Sequence, residues 1–247
     1  MQVEIWSDVV CPWCYIGKRR FEQALARFPH HDDVAVTWHS FELDPSAPEV
    51  RDGTYAKRLP QKYGVPVASA KDMIRQMTSS AAAEGVAMRF DRARPGNTFA
   101  AHRLLHLARN RGLQDELKER LLAAYLTEGE PIGTAAALVR QATTVGLDPV
   151  EVRAVLDSDA YADDVRADER QAAAYGITGV PFFVVDHRYG VSGAQPADLL
   201  LQVLDRAWAE QRPTVLAGVW GTASDVGCGG EHQHVDRAGC EGDSCAV

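Results

Sequence analysis

Between positions 15 and 227 the sequence has no cysteine. Its five cysteines are confined to the ends, with Cys11 and Cys14 near the start and Cys228, Cys240 and Cys245 near the finish. That distribution excludes a small disulfide-stapled scaffold, and a chain of 247 residues can bury a sizeable core without such staples. No run approaches the roughly 18 apolar residues that a membrane-spanning helix needs. An excess of positive charge is also missing, since 26 Lys and Arg stand against 34 Asp and Glu for a net charge of -8. This is the wrong sign for a general nucleic-acid binder. The first residues carry neither the basic segment nor the apolar run of an export signal. The expected location is therefore the cytoplasm, where paired cysteines more often serve catalysis, redox sensing or metal binding than structure.

What is present begins as β-α-β. Residues 3–7 read as a strand and residues 8–12 as the loop leaving it. A helix should follow, because Cys14, Phe21, Leu25 and Phe28 recur at helical offsets and Pro12 suits a first turn. Residues 34–41 read as a second strand. From Pro45 to about Asp164 the periodicity is helical and Ala-rich, with room for five or six helices and no convincing strand. Helix starts are expected at Ser69, at Asn97, and at Asp148, where a first-turn proline and the acid Glu151 complete a capping pattern. Strand character returns over residues 180–185, with a short return strand at Val191-Ser192 and a helix from about Pro196 to Gln211. Leu200, Val203, Leu204 and Ala207 would share one face of that helix. The predicted fold is α/β, with β-α-β and β-β-α halves (residues 1–47 and 165–214) separated by an all-helical insertion (48–164) and followed by a Gly-rich tail (215–247).

The chemistry is concentrated in Cys11-Pro12-Trp13-Cys14. Disulfide exchange needs one sulfur with thiolate character and a second close enough to resolve the mixed disulfide. A Cys-x-x-Cys at a helix N-terminus supplies both. An ordinary thiol, with a pKa of about 8.5, is only roughly 3 % thiolate at pH 7, and lowering it to about 6.5 requires roughly 2.7 kcal/mol. The helix dipole supplies typically about 0.3 to 1 kcal/mol, so hydrogen bonds to the sulfur must contribute the rest. The expectation is that Cys11 attacks and Cys14 resolves. Half of a zinc site is the competing reading, but its other two ligands would have to come from the far end of the chain.

Val10-Cys11-Pro12-Trp13-Cys14-Tyr15-Ile16-Gly17 after the first strand, and Gly176-Ile177-Thr178-Gly179-Val180-Pro181-Phe182-Phe183 before a late one, resemble the DsbA-type thioredoxin superfamily. Within it, the segments 97–104 and 191–195 are similar to the FrnE-like group. The resemblance covers about residues 1–212. It implies a thioredoxin fold whose helical insertion roofs the dithiol, and a cis Val180-Pro181 bond beside Cys11. It also implies that the Val180 backbone pairs with substrate, with Pro12 and Trp13 at the same site. One departure is the Pro-Trp dipeptide, where the periplasmic oxidant that names the family carries a histidine. Potentials in related folds run from about -270 to about -120 mV, so the direction of exchange is not legible, although a cytoplasmic setting favours reduction or isomerisation.

Partners consistent with this are a disulfide-containing protein or a low-molecular-weight thiol such as glutathione, with no cofactor, nucleic acid or membrane. A neighbouring branch, the kappa-class glutathione transferases and hydroxychromene-carboxylate isomerases, generally has serine for the first cysteine, which leaves glutathione-dependent isomerase chemistry as the alternative. A non-catalytic redox sensor or holdase is a further one. In the tail, Cys240 and Cys245 form a C-x4-C pair that could act as a second redox centre. With Cys228, His232 and His234 they could instead hold a metal, or they could be incidental. His102 and His106, at i and i+4, read as a solvated or packed helix face rather than metal ligands, and Arg89, Arg92 and Arg94 as a solvated loop.

Overall fold

A computed structural model describes residues 1–211. The expected tail pair Cys240/Cys245, and Cys228, His232 and His234, lie outside the described residues. Strand β1 (Gln2–Ser7) is followed by helix α1 (Pro12–Arg27), a short 3-10 turn and strand β2 (Ala35–Ser40). The helical stretch comprises α2 (Tyr55–Tyr63), α3 (Val67–Ala83), α4 (Phe99–Asn110), α5 (Gln114–Ala123), α6 (Ala135–Thr144), α7 (Pro149–Leu156) and α8 (Ala162–Ala174). Strands β3 (Phe182–Val185) and β4 (Tyr189–Ser192) and helix α9 (Ala197–Gln211) complete the described chain. The sheet order is β2-β1-β3-β4, with β1 parallel to β2 and antiparallel to β3, and β3 antiparallel to β4.

β1 is central and covered on both faces, so its alternation sorts two kinds of neighbour rather than core from solvent. Val3 and Ile5 pack with Phe21 and Ala24 of α1 and Leu200 and Leu204 of α9. Trp6, on the opposite face, packs with Ala172 of α8 and Val184 of β3. Helix α1 serves both halves of the molecule, because its first turns send Tyr15 and Ile16 into the core of the helical part. The loop leaving β1 therefore delivers Asp8 to Cys11 to the seam between sheet and helices.

Several boundaries differ from the sequence reading. α3 starts at Val67 with Pro66 as its N-cap, not at Ser69, since the proline ring already fixes the φ that the entry needs. The N-cap of α4 is Thr98, yet Asn97 Oδ1 still accepts the Phe99 N–H at 2.8 Å, while its Nδ2 donates to Pro45 O and Ala47 O. Phe28 is buried but lies just past the end of α1. α7 begins as expected, with the Asp148 side chain accepting from Val150 N. The boundary expected between residues 164 and 165 falls inside α8, which packs on β2 and thus belongs to the sheet as much as to the insertion.

The segment from β2 to α2 is fastened to the segment before α4. Arg51 N donates to Pro95 O, Asn97 N to Pro48 O, and Tyr55 N to Ala93 O. Gly96 and Gly133 let the Glu49 carbonyl sit between them, for a Cβ at either position would stand 2.3 or 2.0 Å from that oxygen.

Candidate active site

Cys11 is the N-cap residue of α1, and Pro12 follows at its first position, as their order in sequence requires. Both cysteines are free and buried, Cys11 at 4 % exposure and Cys14 at 1 %. The Val180-Pro181 bond is cis, as the resemblance implied, and places the Val180 carbonyl 3.6 Å from Cys11 Sγ. Gly17, one turn along α1, is where the cis-proline ring rests: a Cβ there would lie 2.8 Å from Pro181 Cγ. A cavity of about 820 Å³ opens over this floor. Cys11, Pro12, Trp13 and Val180 line it and Cys14 does not, so a molecule in the cavity meets the Cys11 sulfur.

The electrostatics of the pair differ from the sequence expectation. The two sulfurs are near enough for each to shift the titration of the other. Cys11 is held well above an ordinary thiol, first by its hydrogen bond to Cys14, then by burial and by the Cys14 charge. Burial also pushes Cys14 up, but the Cys11 thiol, the Lys118 ammonium, the Ser7 hydroxyl and a backbone N–H outweigh it and bring Cys14 below its ordinary value. The physical reason lies in burial and in Lys118, neither of which the spacing of the motif reports. The hydrogen bond that the geometry gives Cys11 Sγ runs to the Val180 carbonyl, at 3.6 Å.

Behind the pair lies a buried charge cluster that sequence reading missed. Lys118 of α5 is fully buried, donates to Ser7 O at 3.1 Å and lies 5.5 Å over the Trp38 ring. Burial brings its ammonium down to about 8, against the pull of Cys14, Asp8 and Cys11. Asp8 is also fully buried, with Oδ2 accepting the Leu43 N–H at 2.8 Å and Oδ1 3.4 Å from His102 Nε2. Burial raises its carboxyl, yet His102, the Leu43 N–H and Lys118 together hold it below the usual carboxylate range.

His102 and His106 do not converge on one centre and are not solvated. Each meets its own acid, since His106 Nε2 lies 3.1 Å from both Ser40 Oγ and Asp168 Oδ2. Among the described residues no cluster of three or more His, Cys, Asp and Glu side chains is arranged to hold a metal ion. Arg89, Arg92 and Arg94 are exposed, and Arg89 pairs with Asp91, whereas Phe90 between them is buried in the core. Among the described residues no helix is long and apolar enough to cross a membrane.

Residues 2–205 match the family model of the DSBA-like thioredoxin domain. The chain belongs to the DsbA-like thioredoxin family. That membership makes it a disulfide oxidoreductase by class. The DsbA-like chain is 49 % identical to a probable DsbA oxidoreductase from Streptomyces coelicolor, whose crystal structure it matches with a TM-score of 0.82 over 86 % of this chain and 92 % of that one. It is 29 % identical over 187 residues to the uncharacterized protein YwbO of Bacillus subtilis, covering 75 % of this chain and 86 % of the relative. It shares its fold with the cytosolic disulfide reductase DsbM of Pseudomonas aeruginosa, at 16 % identity and a TM-score of 0.60 over 85 % of this chain and 100 % of the other.

Proposed function

We propose that Cys11 and Cys14 are the redox pair of this oxidoreductase and that it reduces or isomerises disulfides in the cytoplasm. The observation that carries the reading is the Cys11 sulfur at the floor of the cavity, 3.6 Å from the Val180 carbonyl, with Cys14 behind it. Cys11 gives up its proton and attacks one sulfur of a substrate disulfide, and the departing substrate sulfur takes that proton up. A mixed disulfide forms and the first substrate thiol leaves. Cys14 then attacks Cys11 Sγ, releasing the second substrate thiol and leaving a Cys11–Cys14 disulfide, so two electrons pass to the substrate. A cellular thiol such as glutathione, or the Cys240/Cys245 pair, restores the dithiol by the same exchange. In isomerisation the mixed disulfide is resolved by another substrate thiol and no net electrons move.

Insulin reduction under a thiol donor tests the assignment. Cys11→Ser should abolish turnover, and Cys14→Ser should stop it after one exchange and accumulate a mixed disulfide on Cys11. Full turnover by Cys14→Ser would overturn the dithiol reading in favour of glutathione-dependent isomerase chemistry at Cys11 alone. In the same assay Cys240→Ser/Cys245→Ser should slow the regeneration of the dithiol; an unchanged rate removes the tail pair from the cycle.

A further inference from the structure

We propose that the cavity over Cys11 receives low-molecular-weight disulfides bearing an acidic group, and that Arg58 and Lys62 of α2 bind that group. The proposal rests on the dithiol reading above and names the class of substrate it acts on.

A volume of about 820 Å³ lies within the range of sites that enclose a small molecule, roughly 300 to 1,000 Å³. One wall is a single face of α2. Tyr55, Arg58, Leu59 and Lys62 stand at i, i+3, i+4 and i+7, and all four line the cavity. That face shares the cavity with Cys11 and Val180.

The charges of the cavity are unevenly matched. Arg51 is paired with Asp44 at 2.6 Å, and Asp8 is engaged by Leu43 N and His102. Arg58 and Lys62 are the two cavity-lining cations without an ion-pair partner among the described residues; Lys62 is exposed, with Nζ 5.6 Å from the centre of the Tyr63 ring. Arg58 is half-buried, which weakens screening by water and strengthens its attraction for an anion. The lining also offers an apolar seat, with Leu59, Met77 and Tyr125 buried and Met73 partly so. Cationic groups beside an apolar seat, with a reactive sulfur at the floor, fit a compact disulfide with an acidic end.

A charge series of small disulfides tests this: 3,3′-dithiodipropionate (anionic), bis(2-hydroxyethyl) disulfide (neutral) and cystamine (cationic). The intact protein should show the highest kcat/KM for the dianion, carried by KM, and raising the salt concentration should erode the preference. In Arg58→Gln/Lys62→Gln the ratio of kcat/KM for anion over neutral should fall about tenfold, from two partly screened charge contacts. Equal KM values across the series, or a preference that survives in the double variant, would overturn the proposal. Binding of dithiodipropionate to the full chain carrying Cys11→Ser/Cys14→Ser, followed by calorimetry, reads the anion site without turnover. If no disulfide is turned over by the intact protein, the dithiol reading fails. Salt-sensitive binding that Arg58→Gln/Lys62→Gln removes would still support the anion site, and absent binding would refute it.

Discussion

At the scale of single residues, Lys118 lies behind the dithiol and helps to bring Cys14 below its ordinary value. A buried ammonium beside two thiols stabilises the first negative charge they acquire, and Lys118→Met leaves that charge to backbone N–H groups and to Ser7. The first pKa of the pair should then rise by about one unit, equivalent to about 1.4 kcal/mol, as followed by the ultraviolet absorbance of the thiolate against pH. Lys118 has its own pH signature. Its folded value of about 8 lies below the ordinary lysine value, so the unfolded chain binds more protons between them. Its contribution to stability therefore rises as pH climbs from about 8 to about 10, a slope that urea titrations should find in the wild type and not in Lys118→Met. Cys11 and Cys14 stood out in sequence as a Cys-x-x-Cys motif after a strand, and the cis Val180-Pro181 bond was expected only through the family resemblance. Asp8, His102 and Lys118 did not stand out, because they are brought together only by folding and each alone resembles an ordinary surface residue.

At the scale of elements, α1 and the cis-proline segment hold Cys11 Sγ and the Val180 carbonyl in register through the missing side chain of Gly17. Gly17→Ala sets a methyl against Pro181 Cγ, with Ala194 Cβ 3.6 Å away on the other side. Overpacking of this kind costs about 1 to 3 kcal/mol. Here the proline segment must yield, and the Val180 carbonyl moves with it relative to Cys11 Sγ. A fall in insulin-reduction rate larger than the fall in stability is expected, and an unchanged rate would show that Val180 has no part in placing substrate. The order of elements was readable in sequence because the β-α-β and β-β-α patterns have clear periods and Gly-Pro punctuation. The cavity wall was not, since α2 is short and polar and its alignment with Cys11 is set by the loop that carries it.

At the scale of the molecule, one carboxylate ties the sheet to the helices. Asp168 of α8 holds His39 Nδ1 at 2.6 Å and Ser40 N at 2.7 Å on β2, and His106 on α4 at 3.1 Å. Burial raises its carboxyl, but these partners overcome burial and hold it far below the usual range. The stability it gives is thus present above the unfolded value of about 3.9 and lost as pH falls through the folded one. Asp168→Asn should cost about 3 kcal/mol or more at pH 7, and urea titration should show the difference from wild type shrinking near pH 3. An equal penalty at both pH values would assign the effect to shape rather than charge. The core division was only partly readable from sequence, because α8 carries an acid that looks solvated in its polar neighbourhood, Asp163 to Glu169, and is in fact the meeting point of three elements.

The Glu49 carbonyl seated against Gly96 and Gly133 has a consequence for how this architecture can diversify. It pins the root of the helical insertion close to where the chain leaves the sheet, and α2 hangs from that root. Exchanging Arg58 or Lys62 should therefore leave the sulfurs, the cis-proline and the strands in place, whereas Leu59 of the same face is part of the helical core. The charge that α2 presents to the cavity and the sulfurs at its floor thus hang from separate parts of the chain.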